Sequence, residues 1–200
     1  MIRQLEAKMF ATKKVKEIMI PIEKYPTIDK DATMVEAILK LNKAVKNAPP
    51  DIPPFRAVLV VDKDGKVIGK VGHFAFLKGL EPKYKNLFDM DKLSRVNLSS
   101  SFIETLFEKF SLWHEIPMDL CSIASNIKVE EIMQPIEESV DEEETLPMAI
   151  HKIIMWQCLS VLVKRGNEVV GILRTSDLIN EIENCILKEC LKSNKNQENL

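Results

Sequence analysis

Apolar and polar positions along this chain follow two periods, and the change from one to the other predicts its elements. A β-branched run, Ala57 to Val61, a polar turn, Lys63-Asp-Gly-Lys66, and a second run, Val67 to Val71, read as a hairpin. The same arrangement returns as Ser160 to Val163, Lys164-Arg-Gly-Asn167 and Glu168 to Leu173. In each turn a glycine supplies the positive φ that tight connections require. Upstream of each hairpin the apolar spacing lengthens to that of a helix burying one face: Ala37, Ile38 and Leu41 in the first case, Ala149, Ile150 and Ile153 in the second. Thr33 with Glu36 forms a capping box for the first of these helices. The second opens at Thr145 and carries Pro147, which a first turn tolerates because its amides have no intrahelical partner. A further helix follows each hairpin, beginning near His73 and near Thr175.

The parallel between the two halves is written in the residues themselves. Val15-Lys-Glu-Ile-Met-Ile-Pro-Ile-Glu23 recurs as Val129-Glu-Glu-Ile-Met-Gln-Pro-Ile-Glu137, and a short β-prone stretch follows each, Tyr25 to Ile28 and Ser139-Val140. Met19 and Met133 recur as gap fillers where a strand enters a sheet. The repeating unit is β-α-β-β-α, about 60 residues, too small to bury both sheet faces alone and expected to pair with its twin. Two features break the symmetry. A proline-stiffened loop, Asn47-Ala-Pro-Pro-Asp-Ile-Pro-Pro54, precedes the first hairpin. A larger insert runs from about Gly79 to Asn126, in which Ser101-Phe-Ile-Glu104 reads as a capping box and Phe102, Ile103, Leu106, Phe107 and Phe110 fall at helical spacing, predicting a helical hairpin. The expected organisation is therefore a first repeat with an N-terminal extension over 1–78, a helical insert over 79–126, a second repeat over 127–192 and a flexible polar tail over 193–200.

Composition narrows the function classes. Of 200 residues, 46% are hydrophobic, enough for a packed core, and charged residues, 29%, nearly cancel to a formal net charge of -2. Neither nucleic acid nor a membrane surface is indicated as a partner. Lysines crowd the start (Lys8, Lys13, Lys14, Lys16), and acids crowd the stretch from Glu130 to Glu144; both read as solvated surface. No apolar run approaches the ~18 residues of a membrane span and no signal peptide is evident, so a cytoplasmic location is expected. Cys121, Cys158, Cys185 and Cys190 show neither C-x-x-C pairing nor a histidine at ligand spacing, and read as buried free thiols rather than a disulfide framework or metal site. His73, His114 and His151 lie far apart without a matching nucleophile. With no phosphate-cradling glycine loop, nucleophile elbow or His-Glu-x-x-His, no catalytic residue and no metal ligand is indicated, and no cofactor is required.

The opening Val-x-Glu-Ile-Met-x-Pro, the later Gly171-Ile-Leu-Arg-Thr-Ser-Asp177 and the duplication together resemble a CBS-domain pair, the Bateman module, over roughly Val15 to Lys78 and Val129 to Glu189. The chain also resembles bacterial stand-alone CBS-pair proteins that carry an insert after a sequence like Leu77-Lys-Gly-Leu-Glu-Pro-Lys-Tyr84. The resemblance implies an α/β (α+β) fold of tandem repeats packed about a pseudo-two-fold axis, assembled into a C2 homodimer. It further implies a nucleotide in the cleft between repeats. There a Gly-h-h-[Ser/Thr]-x-x-Asp segment of one repeat binds ribose through its aspartate, and the other repeat contacts the base. A carboxylate accepts two hydrogen bonds from vicinal hydroxyls, and the start of the final helix offers N–H groups to phosphate.

On that pattern Asp177 is the ribose ligand, Arg174 stands where the family has serine or threonine and would hold a phosphate, and Thr175 would donate its hydroxyl. Tyr25, Pro26 and Thr27 would meet the adenine, with Arg56 entering just before its hairpin. The corresponding segment Gly69-Lys-Val-Gly-His-Phe-Ala75 has Gly72 and Ala75 at the hydroxyl and aspartate positions, and its base edge, Ser139 and Val140, lies beside the acid-rich stretch. One nucleotide per chain is therefore expected. The expected function is a non-enzymatic sensor of AMP, ADP or ATP whose output passes to a separate effector protein. Plainer readings stand beside these: Asp177 as a helix cap, Arg56 and Arg174 as surface charges, Tyr25 as a core aromatic. Two alternatives for the whole are a ligand-free interaction module docking a partner through its insert helix, and a sensor of an S-adenosylmethionine-type ligand.

Overall fold

The computed structural model describes residues 10–49, 53–86, 98–114, 119–136 and 138–197, with side chains given for all of these except 85, 86 and 188–197. Parts of the proline loop and of the insert, together with Lys8, Glu137, the Cys190 side chain and the end of the polar tail, lie outside the described residues. The chain divides into two compact units, Pro26–Ile136 forming one and Met1–Tyr25 with Glu137–Leu200 the other.

In the unit of Pro26–Ile136, β2 (Thr27–Asp29) runs parallel to β3 (Ala57–Val61), which pairs antiparallel with β4 (Val67–Gly72), and β5 (Gln134–Pro135) closes the order β2-β3-β4-β5. The other unit repeats this with β6 (Ser139–Asp141), β7 (Ser160–Arg165) and β8 (Glu168–Arg174), closed by β1 (Ile20–Pro21) in the order β1-β8-β7-β6. The sequence repeat is reproduced as register. Thr27 faces Leu59 as Ser139 faces Leu162, Pro135 faces Gly69 as Pro21 faces Gly171, and a bulge falls at Val60/Val61 and again at Val163/Lys164. In both units the Ile-Met-x-Pro segment therefore supplies a strand on the far edge of a sheet whose hairpin comes from the other copy of the repeat.

Those closing strands explain two glycines. A Cβ on Gly69 would stand 2.6 Å from the Gln134 carbonyl oxygen and 3.1 Å from Met133 Sδ; on Gly171 it would stand 2.7 Å from the Ile20 carbonyl oxygen and 2.9 Å from Met19 Sδ. The recurring methionines fill the space over the recurring glycines. The turn glycines Gly65 and Gly166 have φ of 76° and 59°, as tight hairpins demand.

Helix α1 (Met34–Lys46) begins where the sequence places it. The Thr33 hydroxyl accepts from the Glu36 amide at 3.2 Å, and the Glu36 carboxylate accepts the Thr33 amide at 2.7 Å. Met34, Ala37 and Leu41 are buried, as are Val58, Val60 and Val71 of the sheet strands, and the helix packs on β3. Helix α2 (His73–Leu80) follows the first hairpin directly. Within the insert are a 3-10 turn (Pro82–Asn86), α3 (Ser100–Lys109) and α4 (Leu120–Asn126), and α4 packs on α1 and α2. The cap of α3 is Ser99, whose hydroxyl accepts the Phe102 amide at 3.3 Å, rather than Ser101, which lies inside the helix. Three consecutive serines leave the register open in sequence, and the backbone selects the first. The insert is tied back by Glu81, only 7% exposed, whose carboxylate accepts the Trp113 amide at 2.7 Å and the Lys83 amide at 3.2 Å. Trp113 Nε1 in turn donates to the Tyr84 hydroxyl at 3.1 Å. A short α5 (Val129–Ile132) leads into β5.

In the other unit α6 (Leu146–Trp156) buries Leu146, Ala149 and Ile153 against Val15, Val140, Val161 and Val163. Pro147 sits in its first turn. Helix α7 (Thr175–Gln197) continues without a break from β8. Two surface expectations are corrected here. Within the acid-rich stretch two acids are taken out of solvent: Glu142 is 7% exposed and its carboxylate is held by Arg165, and Glu144 meets Lys152 at 2.8 Å, whereas Glu130, Asp141 and Glu143 are exposed as expected, Glu143 meeting Lys16 at 2.5 Å. Lys13 of the basic start likewise reaches Glu181 at 2.7 Å. Lys16 is held beside these acids by the backbone, the Val15 and Lys16 amides donating to the Glu144 and Glu142 carbonyls at 2.9 and 3.0 Å. The thiols are less buried than expected, Cys121 being exposed and Cys158 and Cys185 half-buried.

Candidate functional site

Strand β8 ends at Arg174 and α7 starts at Thr175, so the strand-to-helix junction places three of the expected site residues within one turn. The Arg174 side chain turns back onto that helix. Its Nε donates to Asp177 Oδ2 at 2.7 Å and its Nη2 to Oδ1 at 2.5 Å. The side chains are only 6% and 12% exposed. This is the side-on fork that guanidinium and carboxylate make together, here in a water-poor setting. Arg174 is therefore not a surface charge, and Asp177 has an ionic partner besides its place in the first turn of the helix.

Tyr25 belongs to the same unit. It follows a 3-10 turn (Ile22–Lys24) that packs against β8, and its amide donates to the Ile22 carbonyl at 3.0 Å. The residue is 5% exposed. Burial pushes its hydroxyl up to about 12; the Arg174 charge opposes that shift and the Asp177 charge adds to it. The tyrosine thus stands within electrostatic reach of both members of the pair, as a neutral phenol. Thr175 caps the junction, its amide and its hydroxyl donating to the Leu159 carbonyl at 3.0 and 3.2 Å.

Pro26, Thr27 and Arg56 lie in the other unit. The Pro26 carbonyl accepts the Leu59 amide at 2.9 Å, Thr27 begins β2, and Arg56 is exposed just before β3. The structure thus assembles Arg174, Thr175, Asp177 and Tyr25 around one junction within one unit. The corresponding junction of Pro26–Ile136, where β4 meets α2, carries Gly72, His73 and Ala75 and so has no acid at the place of Asp177. A Cβ on Gly72 would stand 2.7 Å from the Arg56 carbonyl oxygen, so no side chain, hydroxyl-bearing or other, fits there without movement.

The sequence reading missed the pairing of Arg174 with Asp177. Its one available signal was their i,i+3 spacing, which brings side chains together only if the strand ends and the helix begins between them. No group of three or more His, Cys, Asp or Glu residues suited to a metal ion occurs among the described residues.

Residues 15–81 and 129–184 each match the family described as CBS domain. No curated protein matches the chain in sequence. Similar solved structures include the CBS domain of a CBS-domain-containing membrane protein from Sphaerobacter thermophilus, 16% identical over 90% of this chain and 93% of that one, with a TM-score of 0.57. CbpB in complex with c-di-AMP is 15% identical over 96% of this chain and 98% of its own, with a TM-score of 0.59. CBSX2 in complex with AMP is 16% identical over 86% and 97%, with a TM-score of 0.55. At these identities the likeness is one of fold.

Proposed function

Since the chain belongs to the CBS-domain family and carries two of its repeats in tandem, we propose that it is a non-catalytic regulatory module, cytoplasmic, that senses an adenine nucleotide of the AMP, ADP or ATP class. One observation carries the reading. The second repeat holds an acid, Asp177, in the first turn of a helix beside a guanidinium and a buried tyrosine, whereas the first repeat has Gly72 and Ala75 at the matching places. An aspartate there suits a ribose diol and Arg174 suits a phosphate, and Tyr25 is taken as the purine contact on the strength of the family resemblance. Complexes of similarly folded proteins with AMP and c-di-AMP support an adenine ligand. Pro26, Thr27 and Arg56 are included among the contacts on the strength of the family resemblance, and Thr175 would have to release the Leu159 carbonyl to donate to a phosphate.

Because only one repeat carries the acid, the stoichiometry is one nucleotide per chain. Titration calorimetry of the intact chain with AMP, ADP and ATP is expected to give a stoichiometry near one for at least one of them, and Asp177→Ala is expected to abolish that binding. Two equal sites, or unchanged affinity in the variant, would sink the assignment. A second reading has its own observation: Phe102, Ile103 and Phe107 on α3 are 41%, 53% and 43% exposed, an apolar face suited to a partner protein. A melting temperature unmoved by millimolar nucleotides would favour that reading.

A further inference from the structure

Resting on the nucleotide reading above, we infer that Arg174 is the specificity-determining residue of that site: its guanidinium masks the Asp177 carboxylate until a phosphate draws it away, so that phosphorylated adenosines are taken and bare adenosine is refused. The geometry is a competition for one edge. Both Asp177 oxygens face the guanidinium, at 2.7 and 2.5 Å. A vicinal diol that is to be gripped by both oxygens needs that same edge, so fork and diol exclude one another. A neutral diol offers nothing to the displaced cation. Arg174 is 5% exposed, and giving up the Asp177 ion pair at such burial is unfavourable, which makes the exchange with a nucleoside a losing one.

A phosphate changes the balance, because it offers the guanidinium an anion of matching fork geometry. The cation then moves from one anion to another, and the carboxylate it releases turns to the sugar. Arg174 closes β8 and Asp177 lies in the first turn of α7, so rotation within the long arginine side chain is enough for the transfer. A serine or threonine at this position, as the family resemblance leads one to expect, has no reach or charge to mask the acid. The mask is thus a property of this chain's own Arg174, and the burial of the pair itself, 6% and 12% exposed, keeps it strong.

Two measurements test this. In the unmodified protein, adenosine and inorganic phosphate should bind cooperatively. Adding phosphate at constant ionic strength should raise adenosine affinity by between about five- and a hundredfold, and adenosine should raise phosphate affinity by the same factor. In Arg174→Met, adenosine affinity should rise and AMP affinity fall, so that the large preference of the natural protein for AMP collapses toward one. Adenosine affinity indifferent to phosphate, or an AMP preference unchanged in the variant, overturns the masking role even where AMP binds. Failure of the natural protein to bind AMP, ADP or ATP at all overturns the nucleotide reading beneath it. The phosphate experiment needs no variant, so an Arg174→Met chain that fails to fold leaves the inference exposed to refutation.

Discussion

Tyr25 is the residue whose surroundings depart furthest from what its neighbours in sequence suggest. It stands in a polar turn of the chain, Glu23-Lys-Tyr-Pro, yet it is buried and sees a guanidinium and a carboxylate that follow it by about 150 residues. Its consequence for stability has a definite sign. The folded hydroxyl titrates at about 12, above the ordinary tyrosine value of about 10, so the fold prefers the neutral phenol. The stability linked to that preference is whole below about pH 10 and is lost as pH climbs toward 12, on the order of 2–3 kcal/mol across the window. Alkaline unfolding followed by circular dichroism should therefore be less steep between those pH values in Tyr25→Phe than in the natural protein, whatever the variant's stability at neutrality. Equal steepness would remove Tyr25 as its source.

At the scale of elements, the closing strands β1 and β5 are two residues long and hold their sheets through close backbone approach rather than through a long ladder. That approach requires a missing side chain at Gly171 and Gly69. Gly171→Ala and Gly69→Ala should each cost about 1–3 kcal/mol of stability, because the contacts sit against backbone carbonyls that cannot rotate away. Thermal or urea denaturation measures it; variants as stable as the parent would show that the strands yield. The sequence pattern leads to this point only halfway. It displays Met19 and Met133 in register with each other and Gly69 and Gly171 likewise, but pairing one set with the other needs the chain to be folded.

For the whole molecule, the two compact units do not follow chain order. Residues up to Tyr25 complete the sheet of the second hairpin, and the Met133-Gln-Pro segment completes that of the first. Neither repeat, cut out of the chain at its sequence boundaries, contains all strands of one sheet. The unit holding α6 and α7 also presents Met148, Ile154, Met155, Ile179, Ile186 and Leu187 to solvent. Apolar side chains on two helices in this number suit the self-association that the family resemblance implies. Light scattering should accordingly give twice the 22.8 kDa of one chain, and a monomer at micromolar concentration would refute it. Among the described residues no helix is long and apolar enough to cross a membrane.

The chain's own pattern determined a good deal. The period of its apolar residues placed both hairpins, the glycines of their turns, the capping box at Thr33 and the start of the helices at His73 and Thr175, all within reach of local rules. The repeat itself disclosed the family. Tertiary structure alone decided which copy of the Ile-Met-x-Pro segment closes which sheet, that Glu142 and Glu144 are drawn into ion pairs with Arg165 and Lys152, and that Arg174 grips Asp177 beside Tyr25. The physical reason is the range of the forces involved. Backbone preference and apolar period act over a few residues and are written in the order of the chain. A charge finds its partner through space, and only the completed fold says which distant residues share that space.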